Sequence, residues 1–398
     1  MSAQKNFLIL TSDSGFGHRS AANAVANAMK LLHPQDSETV IVNPIIEDPT
    51  APLLKKSEQN YDRLVTNSPD LYRFAYEISD SRPASGIVED TLTLALYRDL
   101  KQLIKDVHPN AILNTNPIFN SPTGAVIQTM QDRPPFYTVV TDLANVHSMW
   151  FNERPDRFYV ASEAVQKKAI SSGIDPQKIY ISGIPVNPAF ASPHPAKPEL
   201  RLKLGLDPQL PTVLFVGSRR VSGILEHLEA LEKQSLPFQV VVITGGNNDL
   251  FSQASQRPWS FPIQVQNYVK NMPDWMLCAD LLVTKAGGLI TSEGLAAGLP
   301  MILIDYLPGQ EEGNVRYILN HQAGMVVEGP IEFAGLVNEL FAENQESLKF
   351  MASNARRFGH PDSALVIAEA LWHADEIQAP QAMPHRAPWS HRGHNTGK

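Results

Sequence analysis

The sequence predicts an α/β protein made of two Rossmann-like domains that face each other across a cleft. Short apolar runs of the kind found in buried parallel strands alternate with helical patterns along most of the chain. Two of these runs, ending at Thr11 and Val216, open two similar series, and each leads into a turn of small residues. A proline-rich segment at 192–198 separates the series and indicates a domain boundary.

The domain boundaries are predicted from the same patterns. A first domain covers residues 1–190, a hinge covers 191–204 and a second domain covers 205–361. A C-terminal helix is expected over 362–378. The final segment, 379–398, is rich in Pro, His and Arg, and such a composition is typical of disorder.

Composition excludes several classes of protein. With 43% hydrophobic and 19% charged residues, the 398-residue chain is globular rather than disordered. A formal net charge of -8 argues against a general nucleic-acid binder. The single cysteine, Cys278, excludes an intrachain disulfide and a cysteine metal cluster. Because no stretch reaches the roughly 18 apolar residues of a membrane span, we expect any membrane contact to be peripheral.

The first series reads strand, turn, helix, strand. Strands are predicted at 7–11 and 40–42, with a helix over 19–32 between them. The turn between the first strand and the helix contains Gly17 and His18 and lies at the carboxyl end of a strand, where α/β sheets bind ligands. The dipole at a helix start favours a neutral imidazole, which can take a proton from a hydroxyl. The alternative is that His18 only caps or packs.

Two further parts of the first domain carry possible functions. Residues 60–108 predict a long helical segment interrupted at 83–86, and its aromatic and basic residues suggest an interfacial surface. The alternative is a helical hairpin packed on the sheet. The turn after the strand at 136–140 contains Asp142, His147 and Trp150, which indicates either a site or a structured loop.

The remaining regular elements repeat the alternation. Further strands are predicted at 111–114, 156–160, 178–182, 212–216, 238–244 and 263–265, and further helices at 163–171, 224–233, 331–344 and 362–375.

The stretch 281–314 contains the strongest candidate site of the second domain. A strand at 281–283 runs into Gly287 and Gly288, and a helix over 289–297 follows, with a further strand at 301–304. The free N–H groups at that helix start form an anion site. Glu293, one turn in, could accept bonds from a ribose diol. The alternative is an ordinary αβ unit with a glycine-capped helix.

A polar cluster follows this unit. Gln310 and Asn314 are four residues apart, so they share a face if the segment is helical, and Glu311 lies beside them. A diphosphate, a ribose and a sugar could therefore meet successive parts of one stretch.

Common cofactor motifs are missing from the sequence. It contains neither G-x-G-x-x-G at the first helix nor G-x-x-x-x-G-K-[ST], which disfavours a nicotinamide or ATP enzyme. His147 and His321 lack neighbours at zinc-ligand spacing, so we expect no metal site.

Three motifs together resemble a known enzyme family. They are G-F-G-H-R-S-A-A, T-D-L-A-N-V-H-S-M-W, and N-M-P-D-W-M through T-K-A-G-G to P-G-Q-E-E-G-N. The chain resembles, over roughly residues 7–375, the monogalactosyldiacylglycerol synthases and processive diacylglycerol glucosyltransferases. It is similar more remotely to the N-acetylglucosaminyltransferase that forms lipid II. At 217–220, Gly-Ser-Arg-Arg replaces the glycine-rich loop of the family.

The resemblance implies a GT-B fold and an inverting transfer, without metal or other cofactor, from a UDP-hexose to a lipid hydroxyl, with diacylglycerol as the favoured acceptor. It implies peripheral membrane contact on the cytoplasmic face, through 60–108, and no nucleic-acid partner. His18 becomes the general base. The other implied site residues are Gly17, Asp142, His147 and Trp150 on the acceptor side, Val269, Asn271 and Met272 at the uracil, Gly287 and Gly288 at the diphosphate, Glu293 at the ribose, and Gln310, Glu311 and Asn314 at the sugar.

Two other functions are compatible with these sequence features. One is a nucleotide-sugar epimerase of similar shape, and the other is a nucleotide-sugar sensor that has lost catalysis. The sequence leaves open whether the hexose is glucose or galactose.

Overall fold

The computed structural model describes residues 4–13, 16–47, 82–233, 238–342 and 345–376. Several predicted features lie wholly or partly outside these ranges. Among them are positions 14 and 15 of the first turn, residues 60–81 of the long helical segment, the ends at 343–344 and 377–378 of two predicted helices, and the 379–398 tail.

Two six-stranded parallel sheets organise the described residues, in the order β2-β1-β3-β4-β5-β6 and β12-β11-β10-β7-β8-β9. The first sheet contains β1 (Lys5–Leu10), β2 (Ser37–Val42), β3 (Ala111–Asn114), β4 (Phe136–Val139), β5 (Arg157–Val160) and β6 (Ile179–Ile181). The second contains β7 (Thr212–Val216), β8 (Gln239–Ile243), β9 (Ile263–Gln266), β10 (Leu281–Lys285), β11 (Met301–Asp305) and β12 (Gly324–Val326). The predicted α/β class with two Rossmann-like units is confirmed.

Helices connect the strands and cover the sheets. In chain order they are α1 (Phe16–Leu32), α2 (Pro44–Glu47), α3 (Arg82–Val107), α4 (Asn120–Ile127), α5 (Glu163–Ser171), α6 (Lys197–Lys203), α7 (Ile224–Leu231), α8 (Asn248–Gln256), α9 (Met272–Cys278), α10 (Gly288–Ala296), α11 (Glu312–Asn320), α12 (Pro330–Phe341), α13 (Glu346–Phe358) and α14 (Ser363–Trp372). Buried β-branched and aromatic strand residues fill the space between helices and sheets.

The strand order of each sheet predicts where a ligand crevice lies. In the first sheet the order reverses at β1, whose neighbours are β2 and β3. In the second it reverses at β7, whose neighbours are β8 and β10. Open parallel sheets bind ligands at the carboxyl ends of strands beside such a reversal. The turns after β1 and β3 in one sheet, and after β7 and β10 in the other, therefore frame the expected sites.

The last helix packs against the first sheet, although it follows the second in sequence. Ile367 and Leu371 of α14 lie in the same buried cluster as Phe7 and Ile9 of β1. Lys5 donates to the Asp375 carboxylate at 2.8 Å and to the backbone carbonyl of Trp372 at 2.9 Å. The chain therefore crosses between the two sheets twice, once near the hinge and once before α14.

The structure corrects the predicted break in the long helical segment. The helix is continuous from Arg82 to Val107 through the predicted interruption at 83–86. Pro83 is tolerated because it lies in the first turn, where its missing N–H would have no helical acceptor. Buried Leu96, Leu100 and Ile104 pack α3 on the first sheet, as the helical-packing alternative expects.

Other element bounds differ more modestly. The second half of the 191–204 segment is helix α6, whose Leu200 joins the core of the second sheet. Helices predicted to end at 233 and 344 end at Leu231 and Phe341. Several elements have no counterpart in the sequence prediction, among them α2, α4, α8, α9, α13 and β12. Pro122 and Gly124 inside α4 obscure its helical pattern.

Candidate active site

His18 lies in the first turn of α1 and is held by the ends of two neighbouring strands. Its Nδ1 is 2.7 Å from the carbonyl oxygen of Thr115, just beyond β3, and 2.8 Å from the Thr141 hydroxyl, beyond β4. A carbonyl can only accept, so Nδ1 carries the proton that it donates to Thr115. When the ring is neutral, its lone pair is then on Nε2, which is the arrangement a general base needs.

Asp142 and Trp150 form a pair beside this imidazole. The Trp150 indole Nε1 donates to the Asp142 carboxylate at 2.8 Å. The ring centroids of Trp150 and His18 are 6.1 Å apart. Burial raises the pKa of Asp142 to about 6, and the bond from Trp150 opposes that rise. A carboxyl group that titrates near neutrality thus lies close to the candidate base.

Trp150 and His147 support the loop from inside instead of lining an open surface. Trp150 is fully buried, and His147 is buried with its Nδ1 accepting from the Met149 amide at 3.2 Å. We predicted both from the Asp-His-Trp pattern, and the structure brings them to the predicted loop. Their contacts point to a positioning role.

A buried amide network beneath the loop was not predicted. Asn120 donates to the Trp150 carbonyl at 3.0 Å and accepts from Thr138 at 2.7 Å and from Asn114 at 2.5 Å. Asn114 ends β3, and a polar residue at the end of an apolar strand is the one sequence feature that could have indicated this network. Asn120 sits in the unpredicted α4, so its role could not be read from the sequence.

Gly287 and Gly288 begin α10 at the end of β10, as predicted. Gly287 is the N-cap, and Asn314 donates to the preceding carbonyl of Ala286 at 2.9 Å. The first amides of a helix have no intrahelical acceptor, so they face outward as an anion site. A Cβ on Gly288 would lie only 3.2 Å from the Thr141 carbonyl oxygen, so a side chain here would need the Thr141 backbone to move by a few tenths of an ångström.

The two candidate half-sites meet at Thr141. Its hydroxyl contacts His18, and its carbonyl lies against Gly288 at the start of α10. The imidazole from the first sheet and the start of α10 from the second are therefore both direct neighbours of Thr141. His18 and Gly288 are 270 residues apart in the sequence, so only the tertiary fold brings them to the same threonine.

The loop after β4 makes a second contact with the other sheet, at the loop between β11 and α11. Asn145 donates from Nδ2 to the Gly309 carbonyl at 2.7 Å. A Cβ on Gly313 of α11 would lie 2.7 Å from the Asn145 amide nitrogen. The loop after β4 therefore rests directly on the loop between β11 and α11, without room for another side chain.

Glu293 lies on α10, one turn beyond the anion site. Burial raises the pKa of its carboxyl to about 7. Among the residues that the structure describes, none donates a hydrogen bond to this carboxylate. A partly buried acceptor without a protein donor fits the predicted contact with a ribose diol.

The polar cluster at 310–314 is only partly helical. Gln310 lies in a turn before α11, whereas Asn314 lies in the helix and is buried. Glu311 accepts from Lys285 at 2.6 Å and from the Leu307 amide at 2.7 Å. Asn314 and Glu311 thus hold the glycine turn and its neighbouring loop, in addition to any contact with a sugar.

The residues predicted at the base lie around the start of α9. Asn271 is the N-cap of that helix, and its side chain accepts from Trp275 Nε1 at 3.2 Å and donates to Asp274 at 3.3 Å. Val269 and Met272 are partly buried against the core of the second sheet. They lie after β9, at the edge of the sheet, and their contact with a uracil stays a prediction.

Within the described ranges, no three His, Cys, Asp or Glu side chains are grouped so as to hold a metal ion. None of the helices in the same part of the chain combines the length and the apolar character that crossing a bilayer requires.

Two family descriptions together match most of the chain. Residues 18–186 match "Monogalactosyldiacylglycerol (MGDG) synthase", and residues 212–367 match "Glycosyltransferase family 28 C-terminal domain". Monogalactosyldiacylglycerol synthase 3, chloroplastic, of Arabidopsis thaliana is 31% identical over 384 residues, covering 94% of this chain and 82% of the relative. The synthase of Spinacia oleracea is 31% identical over 377 residues, covering 92% and 72%.

Solved structures show the same fold at low identity. MurG of Acinetobacter baumannii has a TM-score of 0.59 at 16% identity, covering 92% of this chain and 99% of that one. MnaA of S. aureus, solved with UDP, has a TM-score of 0.59 at 11% identity, covering 96% and 100%. The predicted GT-B architecture is confirmed. Solved structures of proteins named UDP-N-acetylglucosamine 2-epimerase also resemble this chain, at 12–14% identity, which shows the fold alone.

The comparisons favour a glycosyltransferase over the epimerase and the sensor, because the sequence likeness is to transferases over most of the chain. By its sequence and its fold, this chain belongs to the monogalactosyldiacylglycerol synthase family.

Proposed function

We propose that this enzyme transfers a hexose from a UDP-hexose to the free hydroxyl of diacylglycerol, with inversion at the sugar carbon. The names of its relatives support diacylglycerol as the acceptor. The observation that carries the proposal is the contact of Thr141 with both His18 and Gly288. A proton acceptor and an anion cradle on opposite sides of one crevice are what a transfer from a diphosphate to a hydroxyl needs.

In this mechanism His18 takes the proton of the acceptor hydroxyl through Nε2. The hydroxyl oxygen bonds to the sugar carbon, and the bond from that carbon to the phosphate oxygen breaks on the opposite face. The electron pair leaves on the diphosphate, where the first amides of α10 stabilise it. Thr115 and Thr141 hold the ring in its reactive tautomer.

The donor lies along α10 and the loop before α11. Glu293 accepts hydrogen bonds from the ribose diol, and Gln310, Glu311 and Asn314 line the sugar. Val269, Asn271 and Met272 lie by the uracil. Gly17, Asp142, His147 and Trp150 shape the acceptor side.

The acceptor reaches the crevice from a membrane surface on the cytoplasmic side. Helix α3 supports this placement, because Leu94 is 84% exposed on the face opposite the packed Leu96 and Leu100. We propose that the first domain, residues 1–190, contacts the membrane and that the second, 205–361, holds the donor.

The test is an assay of the purified protein with diacylglycerol vesicles and either UDP-glucose or UDP-galactose. Formation of a glycosyl diacylglycerol supports the proposal, and the better donor identifies the hexose. An epimerised sugar nucleotide, or nucleotide binding without turnover, would refute it.

His18→Ala tests the base directly. We expect kcat to fall by roughly a hundredfold or more, because general-base catalysis typically contributes that much, with the Kd of UDP-hexose unchanged. The control is His194→Ala, an exposed histidine of the 191–204 segment. Unchanged turnover in the His18 variant would remove it from the mechanism.

A further inference from the structure

A partly buried ion pair lies beside the proposed diphosphate site. Lys285 is the last residue of β10, two positions before Gly287. Its Nζ lies 2.6 Å from Glu311 Oε1, and the two side chains are only 18% and 11% exposed. Surface ion pairs are common and weak, but a pair withdrawn from water at the end of a strand needs a reason.

The position of the pair points to the anion cradle. A Cβ on Gly287 would lie 3.6 Å from Glu311 Oε1 and 3.6 Å from Lys285 Cε. Gly287 is the N-cap of α10, so the pair flanks the helix start whose amides face outward. A diphosphate bound there would lie within reach of the lysine ammonium.

Glu311 is itself fixed in place. Its second carboxylate oxygen accepts from the Leu307 amide at 2.7 Å, and its own amide donates to the Leu307 carbonyl at 2.9 Å. Glu311 therefore holds the lysine on one side and closes the loop after β11 on the other. In the free enzyme it neutralises a cation that burial would otherwise penalise.

We propose that Lys285 is the cationic group that stabilises the charge developing on the departing diphosphate, and that Glu311 positions it. This inference rests on the proposed function. When the bond between sugar carbon and phosphate oxygen breaks, the electron pair moves to the diphosphate and its charge becomes more negative. A helix start supplies only about half a unit of positive charge, whereas an ammonium supplies a full one. Its attraction grows as the bond breaks, so it accelerates the reaction instead of only tightening donor binding.

The test compares ligands that differ in phosphate charge. The variant Lys285→Met/Glu311→Gln removes both charges together, so that no unpaired charge is left buried, and its new amide oxygen can still accept from Leu307. Affinities for uridine, UDP-glucose and UDP are measured by calorimetry, and turnover is measured with diacylglycerol vesicles. Lys285→Arg keeps the cation, and Lys197→Met removes a lysine that pairs with Asp280 away from the site.

We expect the double variant to lose UDP affinity by roughly tenfold or more, to lose UDP-glucose affinity by about threefold, and to bind uridine as before, because free UDP carries the most phosphate charge. Turnover should fall by about a hundredfold. Lys285→Arg should recover part of both effects, and Lys197→Met should match the parent. Equal weakening of all three ligands would mean a structural role and overturn the inference.

The role of Lys285 and the proposed function can fail independently of each other. If the parent protein binds no uridine nucleotide and forms no glycolipid, the proposed function fails. If the parent does both and the variant keeps its turnover and its preference for UDP over uridine, only the role of Lys285 is refuted.

Discussion

Gly313→Ala should disable catalysis while leaving the protein folded. Gly313 is the second residue of α11 and has ordinary helical backbone geometry, so alanine suits its own helix. The new Cβ, however, would lie 2.7 Å from the Asn145 amide nitrogen, which belongs to the loop of the other sheet. Because ordinary contact begins at 3.4 Å, the two loops must separate by about 0.7 Å.

The size of the effect can be worked from this displacement. Separation breaks or stretches the bond from Asn145 to the Gly309 carbonyl, now 2.7 Å long, a net loss of about 1 kcal/mol. It also moves Thr141, and with it His18, away from α10. Misplacement of reacting groups by about 1 Å can cost a hundredfold in rate, so we expect kcat to fall by roughly 10- to 100-fold. The Kd of UDP-hexose should change by less than about threefold, because its proposed contacts lie in the second sheet alone.

The assay is steady-state glycolipid formation on vesicles, with UDP-hexose binding measured by calorimetry and unfolding followed by circular dichroism. Gly335→Ala is the matched control, since this glycine is also helical and a Cβ there would meet nothing within 4 Å. It should keep full activity and gain up to about 1 kcal/mol of stability. If Gly313→Ala turned over at the parent rate, the contact of the two loops would not be the catalytic arrangement.

The pKa of Glu293, raised to about 7, predicts that UDP-hexose affinity rises about tenfold from pH 6 to 8, because only the ionised form accepts from the ribose. Calorimetry on Glu293→Gln should give weaker binding with no slope, and a parent affinity that falls with pH would contradict the assignment. Arg201→Met should lower the free energy of unfolding by about 3 kcal/mol, since it removes a buried guanidinium that lies 2.6 Å from Asp280 and donates to the Cys278 carbonyl at 3.0 Å. Urea denaturation tests this against Lys203→Met, an exposed pair worth under about 1 kcal/mol. Equal losses of unfolding free energy in the two variants would contradict the reasoning from burial.

Local pattern was enough to predict eleven of the twelve described strands and the glycine turns of both sheets. A buried parallel strand needs an apolar run, and a chain reversal near a ligand needs glycine, so both leave short-range signals. The predicted βαβ unit around His18 and the strand-turn-helix unit around Gly287 are confirmed on that basis. Prediction failed where a residue that usually breaks helices lies inside one. Pro83 is in the first turn of α3 instead of interrupting it, and Pro122 and Gly124 hide the helical pattern of α4.

Sequence alone determined the two strand-turn-helix units that carry His18 and Gly287, and the family to which the chain belongs, because strand ends, glycine turns and the long motifs are local properties. Only the tertiary structure decided how those two units meet. Thr141 between His18 and Gly288, the pair of Lys285 with Glu311, and the seating of Asn145 on Gly313 join residues far apart in the chain. Such contacts depend on strand order and on the docking of two sheets, which no short window of sequence encodes.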